Sequence, residues 1–403
     1  MEILRLGIIR EGKTPPDKRV PFTPLQVIEI EQRYPHVKVV VQESPVRAFT
    51  DDEYREKGIE VSPDVSNCEI LMGIKEVPIS NLIPKKTYLF FSHTTKKQPY
   101  NKKLLQAILE AKIRLIDYEG LKDKLNNRLV AFGRFAGIVG AYNGLLTYGK
   151  RYNLFTLRRA NECFDLNDLK IELRKVKLPP VKIILTGGGR VGRGAMETLD
   201  TAGIRKVSPK DFLNNTYDEA VYVQISSADY HVRKEGGFFN REEFHQNPEH
   251  YNSTFQQFAQ VGDMLIAGAF WNPKAPVLFT KEQMAKPDFN VKIIADVTCD
   301  IEGSIPSTKR PSTIDDPIYD YNPTTDTVEP PLSNPDYVTV MAVDNLPCEL
   351  PRSASEEFGR DLIDKIIPAL VIADKDGVLK RASITKGGKL TENFLYLSDY
   401  AYS

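Results

Sequence analysis

The stretch VKIILTGGGRVGRGAMETL, residues 181–199, reads as three pieces in a row. VKIILT has the apolar pattern of a buried strand, GGGRVG supplies Gly187, Gly189 and Gly192 at the spacing GxGxxG, and AMETL continues as a helix. The three glycines meet different physical needs. The first makes a tight turn, the second lets backbone amides approach a pyrophosphate, and the third lets the helix pack against the strand. The helix, entered through Arg190 and Val191, turns its positive end toward the phosphates. Glycine turns also serve plain strand-to-helix connections, but a strand before and a helix after favour a dinucleotide loop. The same pattern expects an acid about 20 residues after the first glycine, at the end of the second strand, to hold the ribose hydroxyls. The chain reads GIRKVSPKDF there, with Arg205, Lys206 and Ser208 near the place and Asp211 late. The loop therefore implies NAD(P)(H) and leaves NAD against NADP open. The missing acid and the two cations set the expectation that NADP is accepted at least as well as NAD.

Outward from this loop, strand patterns recur at 220–225, 263–267 and 292–297. The last runs into ADVTCDIEGSI, where Asp296 and Asp300 fall at or beyond the carboxyl end of a strand, the place at which open α/β sheets bind ligands. Either aspartate serves equally as a cap for the following turn. Residues 304–335, rich in Pro, Thr, Asp and Tyr, read as an irregular excursion or a pair of edge strands. From Val338 come a strand, a proline-marked turn and an amphipathic helix with Ser353 or Ser355 as its N-cap. Upstream, apolar runs at 5–9, 37–41, 70–72, 88–91 and 114–116 alternate with helical patterns, one opened by Thr23-Pro24 and running through Gln32, another over 101–111. The fold class is α/β, with doubly wound parallel sheets.

A chain of 403 residues exceeds one ordinary core, so two domains are expected. Its 54 basic and 54 acidic residues cancel, removing the field that non-specific nucleic-acid binding needs. No run of eighteen apolar residues occurs, and the opening MEILRLGIIREG is a strand pattern rather than a signal sequence. A soluble, cytoplasmic protein without membrane or nucleic-acid partners follows as the expectation. Cys68, Cys163, Cys299 and Cys348 are scattered without CxxC spacing and read as small buried side chains, so no metal site is expected.

Eight segments recur in order along nearly the whole chain: REGKTPPDKRVPFTP, GIKEVP, FFSHTTKKQ, RLIDYE, VAFGRFAGIVGAYN, TGGGRVG, ADVTCDIEGSI and VDNLPCELPRSASEEFG. Together they resemble the alanine dehydrogenase and lysine-forming saccharopine dehydrogenase superfamily. Within it, FFSHTTKKQ and RLIDYE tilt the resemblance toward the lysine-ketoglutarate reductase domain of aminoadipic semialdehyde synthase. The resemblance implies two Rossmann-like domains with an interdomain active-site cleft. The substrate domain would be discontinuous, residues 1–145 plus 345–403, around a dinucleotide-binding domain at 146–344, and the cleft would close on the ternary complex. It also implies a stand-alone version, since no residues follow Ser403 to form the second, glutamate-releasing enzyme. Oligomeric state varies across the family, and nothing in the chain selects one.

The implied activity is reversible NAD(P)H-dependent reduction of the imine of L-lysine and 2-oxoglutarate to saccharopine. Family members use a lysine and a histidine as the proton-transfer pair, and the motifs place these roles on Lys75 and His93. Alone, a lysine at a strand end is usually solvated and a histidine usually structural; the paired context and the motif order carry the assignment. Glu76 and Glu119 resemble the acids that tune the pair, although ordinary surface charge reads the same way. Arg19 matches the arginine that binds substrate carboxylate. Arg128 is a second candidate, with a surface salt bridge as the alternative. Asn345 and Leu346 match the family turn that approaches the nicotinamide; otherwise they form a helix-entry turn. Two other functions fit the same pattern: alanine dehydrogenase, acting on pyruvate and ammonia, and a dinucleotide-sensing module without turnover. Retention of both Lys75 and His93 argues against the second.

Overall fold

A computed structural model describes residues 3–402 of the chain, which divides into two compact units. The first runs up to Phe132 and resumes from Pro351 onward; the second is Gly133–Leu350.

The first unit is built on strands β1 (Leu4–Ile8), β2 (Val37–Gln42), β3 (Glu60–Ser62), β4 (Ile70–Met72), β5 (Thr87–Phe90) and β6 (Arg114–Asp117). They form one parallel sheet in the order β3-β2-β1-β4-β5-β6. Because successive side chains point to opposite faces, apolar residues at consecutive positions bury both. Leu6, Ile8, Val39, Val41, Met72 and Leu89 enter one core, and Val40, Leu71, Tyr88, Phe90 and Leu115 the other. The helix Pro24–Arg33 is opened by a capping box in which Thr23 and Gln26 bond reciprocally, with Pro24 in the first turn. The helix Pro351–Lys365 packs beside it. This helix begins at its proline, so Ser353 and Ser355 lie inside it rather than capping it. Ser355 Oγ donates back to the Pro351 carbonyl at 2.6 Å and accepts from the Val20 amide at 2.9 Å.

The second unit carries β7 (Lys182–Thr186), β8 (Arg205–Val207), β9 (Val221–Ile225), β12 (Met264–Ala267), β13 (Ile293–Asp296), β14 (Ile318–Asn322), β15 (Thr327–Glu329) and β16 (Val338–Met341) in one sheet; β10 (His231–Arg233) and β11 (Tyr251–Ser253) pair separately. The order is β15-β14-β16-β13-β12-β7-β9-β8. Strands β14 and β15 form an antiparallel edge pair, which resolves the excursion at 304–335. A second feature corrects the sequence reading. β9, not β8, lies beside β7, and β8 is displaced to the edge. The strand whose end should face the ribose is therefore β9, so the region around Arg205 and Lys206 is the wrong place to expect the acid.

The compact units divide at 132/133 and 350/351, where the sequence leads one to expect domain boundaries at about 145 and 345. The helix Gly133–Arg151 falls in the second unit, because it lies against the helix Arg190–Thr201 at backbone distance. A Cβ on Gly137 would collide with the Val191 carbonyl, and one on Gly194 with the Arg134 carbonyl. No helix among the described residues is long and apolar enough to cross a membrane.

Candidate functional site

In the first unit, four neighbouring parallel strands end on one side, and the segments that leave them carry the candidate residues. After β1 come Glu11, Lys13, Asp17 and Arg19; after β4, Lys75 and Glu76; after β5, His93; after β6, Glu119. Parallel pairing brings together residues far apart in sequence.

His93 takes a left-handed backbone conformation, φ 52°, at the entry to a short turn. Its Nδ1 lies 2.6 Å from Glu76 Oε1, while Lys13 Nζ donates to Glu76 Oε2 at 2.9 Å. Burial raises the Glu76 carboxyl, but the bonds from His93 and Lys13 outweigh it and bring the pKa down to about 2. Glu76 is thus a fixed anion between two proton-bearing groups. Burial, then the charges of Arg19 and Lys13, push the Lys75 ammonium below its usual range against the pull of Asp17 and Glu76. The backbone amides of Ile74 and Lys75 donate to the two Glu11 oxygens at 2.6 and 2.9 Å, which ties the lysine loop to the segment after β1. Burial and the Asp17 charge raise the Glu11 pKa to about 8.

Arg19 is buried and gives Nε and Nη2 to the two oxygens of Asp17 at 2.9 and 2.5 Å. Burial opposes ionisation of Asp17, yet this bidentate pair holds the carboxyl far below its usual range. The Arg19 guanidinium rests 4.2 Å over the Phe132 ring, and that of Arg128 5.9 Å from the Phe91 ring. Phe91 and Phe132, with Phe358 and Tyr118, form one aromatic shelf, and the His93 ring lies 6.5 Å from Phe91. Arg128 stands 3.8 Å from Glu119, a loose ion pair.

Sequence reading passes over Asp17, Glu11, Lys13 and Asp117. Asp117, fully buried at the end of β6, accepts from the Ser92 amide at 2.9 Å, the Ser92 hydroxyl and the Glu119 amide at 2.7 Å. One carboxylate thus ties the loop that carries His93 to the turn that carries Glu119. Its signal is present in RLIDYE, an acid ending an apolar strand.

The second unit presents a cavity of about 500 Å³ lined by the glycine loop from Gly187 to Val191, the end of β9 and the segment after β12. Gly187 has φ 92°, which glycine alone adopts without strain, and a Cβ on Gly192 would collide with the Gly187 carbonyl. A Cβ on Gly189 would meet nothing within 4 Å: its space is open, as a phosphate cradle requires. Gly189 is the N-cap of the twelve-residue helix beyond. Among the described residues no aspartate or glutamate lines the cavity, whereas Arg190, Arg241, His231 and His245 do. Burial lowers His231 to a pKa of about 4, and its buried Nε2 has no hydrogen-bond partner among the described residues. These groups fit a dinucleotide.

Arg205 and Lys206 lie on the edge strand and do not line this cavity; Arg205 pairs with Glu219 at 2.6 Å. Asp296 is buried and accepts from Thr298, Cys299 and Thr308, as a turn cap does, away from the cavity lining. Asn345 and buried Leu346 enter the short turn Leu346–Glu349 and also lie outside that lining. Among the described residues, no group of three His, Cys, Asp or Glu side chains is arranged to hold a metal ion.

Residues 7–139 match the alanine dehydrogenase/PNT N-terminal domain family. Over 97% of its length the chain is 30% identical to an alpha-aminoadipic semialdehyde synthase of Arabidopsis thaliana, of which it spans 41%. It is 26% identical to a saccharopine dehydrogenase [NAD(+), L-lysine-forming] of Neurospora crassa, across 82% of each chain. An L-alanine dehydrogenase structure superposes with a TM-score of 0.64 over 99% of this chain and 100% of that one at 14% identity, a likeness of fold. Residues 7–139 thus carry the alanine dehydrogenase/PNT N-terminal domain pattern, and along the rest of its length the chain is similar in sequence to aminoadipic semialdehyde synthases and lysine-forming saccharopine dehydrogenases and in fold to alanine dehydrogenase.

Proposed function

We propose that this chain is an NAD(P)-dependent amino-acid dehydrogenase that joins L-lysine to 2-oxoglutarate as saccharopine, or runs the reverse reaction. The observation that carries the reading is the chain Lys13–Glu76–His93 beside a half-buried Lys75 of lowered basicity. In the forward direction the lysine ε-amine adds to the ketone, water leaves from the carbinolamine, and the resulting imine is reduced to a secondary amine. A bound nicotinamide dinucleotide supplies the hydride. The protein's part is proton traffic. With Nδ1 held by Glu76, His93 offers Nε2 to the carbinolamine oxygen, and Glu76 stabilises the charged ring. Lys75, its basicity lowered chiefly by desolvation and by the Arg19 charge, exchanges a proton with the substrate nitrogen. Saccharopine carries three carboxylates, and Arg19 and Arg128 on the aromatic shelf are the cations assigned to them.

The same reading assigns the dinucleotide to the glycine-loop cavity and favours NADP. The strand beside β7 ends in Ser226 and Ser227, hydroxyls rather than an acid, and exposed Arg241 has no ion-pair partner among the described residues. A 2′-phosphate suits that wall better than a bare ribose diol. The deciding experiment follows cofactor oxidation by the purified protein with 2-oxoglutarate plus lysine, and separately with pyruvate plus ammonium. Turnover with the first pair alone supports this reading. Turnover with the second alone replaces it with alanine dehydrogenase. Turnover with neither, in a folded protein that binds dinucleotide, leaves the sensing module.

A further inference from the structure

A second cavity in the Gly133–Leu350 unit, about 420 Å³, shares no lining residue with the glycine-loop cavity. It opens between the last turns of the helix Gly133–Arg151, the segment 153–159, the entry to β14 and the end of the Leu346–Glu349 turn. Two ionisable groups at its wall have bonding capacity that the protein does not use. Glu349, 1% exposed, accepts from Asn143 Nδ2 at Oε1, 2.8 Å, while its second oxygen takes no hydrogen bond from the described residues. Arg159 has a buried Nη2 without a hydrogen-bond partner among the described residues. The two feel each other's charge but form no ion pair. Burial pushes the Glu349 carboxyl up to about 7, as expected of an acid whose cation is not supplied by the fold. A buried donor left unmatched is costly, and the second Glu349 oxygen has room to accept a further donor, so a ligand that carries the complement of each satisfies both. The remaining wall is mixed, with an apolar part made by Leu146, Phe155, Leu157, Ile318 and Met341.

We propose that this cavity binds a free α-amino acid with an apolar side chain, its ammonium on Glu349, its carboxylate on Arg159 and its side chain against Leu146, Phe155 and Met341. Such a ligand has one positive end, one negative end and an apolar body of the kind the wall presents. Lys150 and Asp315 lie at the rim and add one charge of each sign. The site does not depend on the activity proposed above. Glu349 closes the four-residue turn that Asn345 enters, so an occupant would rest directly behind that turn.

The test is calorimetric titration of the full chain with L-leucine, with 4-methylpentanoate (the carboxylate without the amine) and with 3-methylbutylamine (the amine without the carboxylate). Saturable binding of L-leucine, with both analogues at least about tenfold weaker, is expected, since each lacks one charged hydrogen-bond partner. Glu349→Gln keeps the acceptor for Asn143, and Arg159→Met keeps the length of the side chain. Each should weaken L-leucine by a similar factor, while Lys75→Met, which alters the other unit, leaves it unchanged. No saturable binding, equal binding of either analogue, or loss of binding in Lys75→Met alone would overturn the proposal. A circular-dichroism melt within a few degrees of wild type for each variant, together with normal dinucleotide binding, excludes misfolding as the cause of a loss.

Discussion

Glu76 holds His93 and Lys13 at once, one on each carboxylate oxygen, at 2.6 and 2.9 Å. The geometry fixes the histidine ring through Nδ1 and ties the segment after β1 to those after β4 and β5 with a single side chain. Glu76→Gln keeps the shape and removes the charge. It should slow turnover by about tenfold or more, as loss of an orienting acid does, with dinucleotide binding unchanged. Steady-state rates beside fluorescence titration measure both.

Lys75→Met and His93→Gln should each slow turnover by roughly 10²-fold or more, the usual worth of a positioned acid or base. Their effects should fall short of additive in the double variant, because groups acting as one unit do not contribute independently. Near-normal rates in folded single variants would return both residues to structural roles.

Two glycines of the phosphate loop should separate binding from stability. Gly189→Leu places a side chain in open space, so the fold should stand while dinucleotide affinity falls. Gly192→Ala drives a methyl into the Gly187 carbonyl and should cost about 2 kcal/mol of stability, in the range for overpacking. Chemical denaturation and titration of both variants check the pair.

Cofactor preference should respond at the wall of the glycine-loop cavity. Arg241→Met should weaken NADP by about tenfold while sparing NAD, and Ser226→Asp should favour NAD. Substitutions at Arg205 or Lys206, on the edge strand, should change neither. A strong NAD preference in the unaltered chain would defeat this.

Glu349 gives a pH signature. Its folded pKa of about 7 stands above the ordinary 4.5, so between these values the folded chain keeps a proton that the unfolded chain has lost. The stability from this group is fully present below 4.5 and disappears as pH rises through about 7. Glu349→Gln should therefore gain on wild type as pH rises across that window, measured by denaturant midpoints.

Much of the fold is legible in the chain because buried parallel strands advertise themselves as uninterrupted apolar runs; the runs at 37–41 and 70–72 fall within one residue of β2 and β4. Strand order is not legible. β8 and β9 have the same local pattern in either arrangement, and only pairing reveals that β9 takes the inner place, so local spacing points to the wrong strand for a ribose-binding acid. The N-cap at Ser353 or Ser355 fails because Pro351 begins the helix two to four residues earlier. At the candidate site, the motifs pick out side chains that point at chemistry and miss those that hold them. Asp117 has its oxygens turned to backbone amides within the unit; its place at the end of an apolar strand marks it in RLIDYE, but the partners it holds are set by pairing across the sheet and not by spacing along the chain.

The paired collisions at Gly137 and Gly194 have a mechanical meaning. At Gly137 and Gly194, main chain of one helix meets main chain of the other, so at those two points no side chain intervenes to change rotamer and absorb strain. The two helices should exchange their amide hydrogens as one block. The longer helix starts at Gly133, the residue after the first unit ends. A tug on the chain at that point would reach the phosphate loop as through a rod rather than a spring.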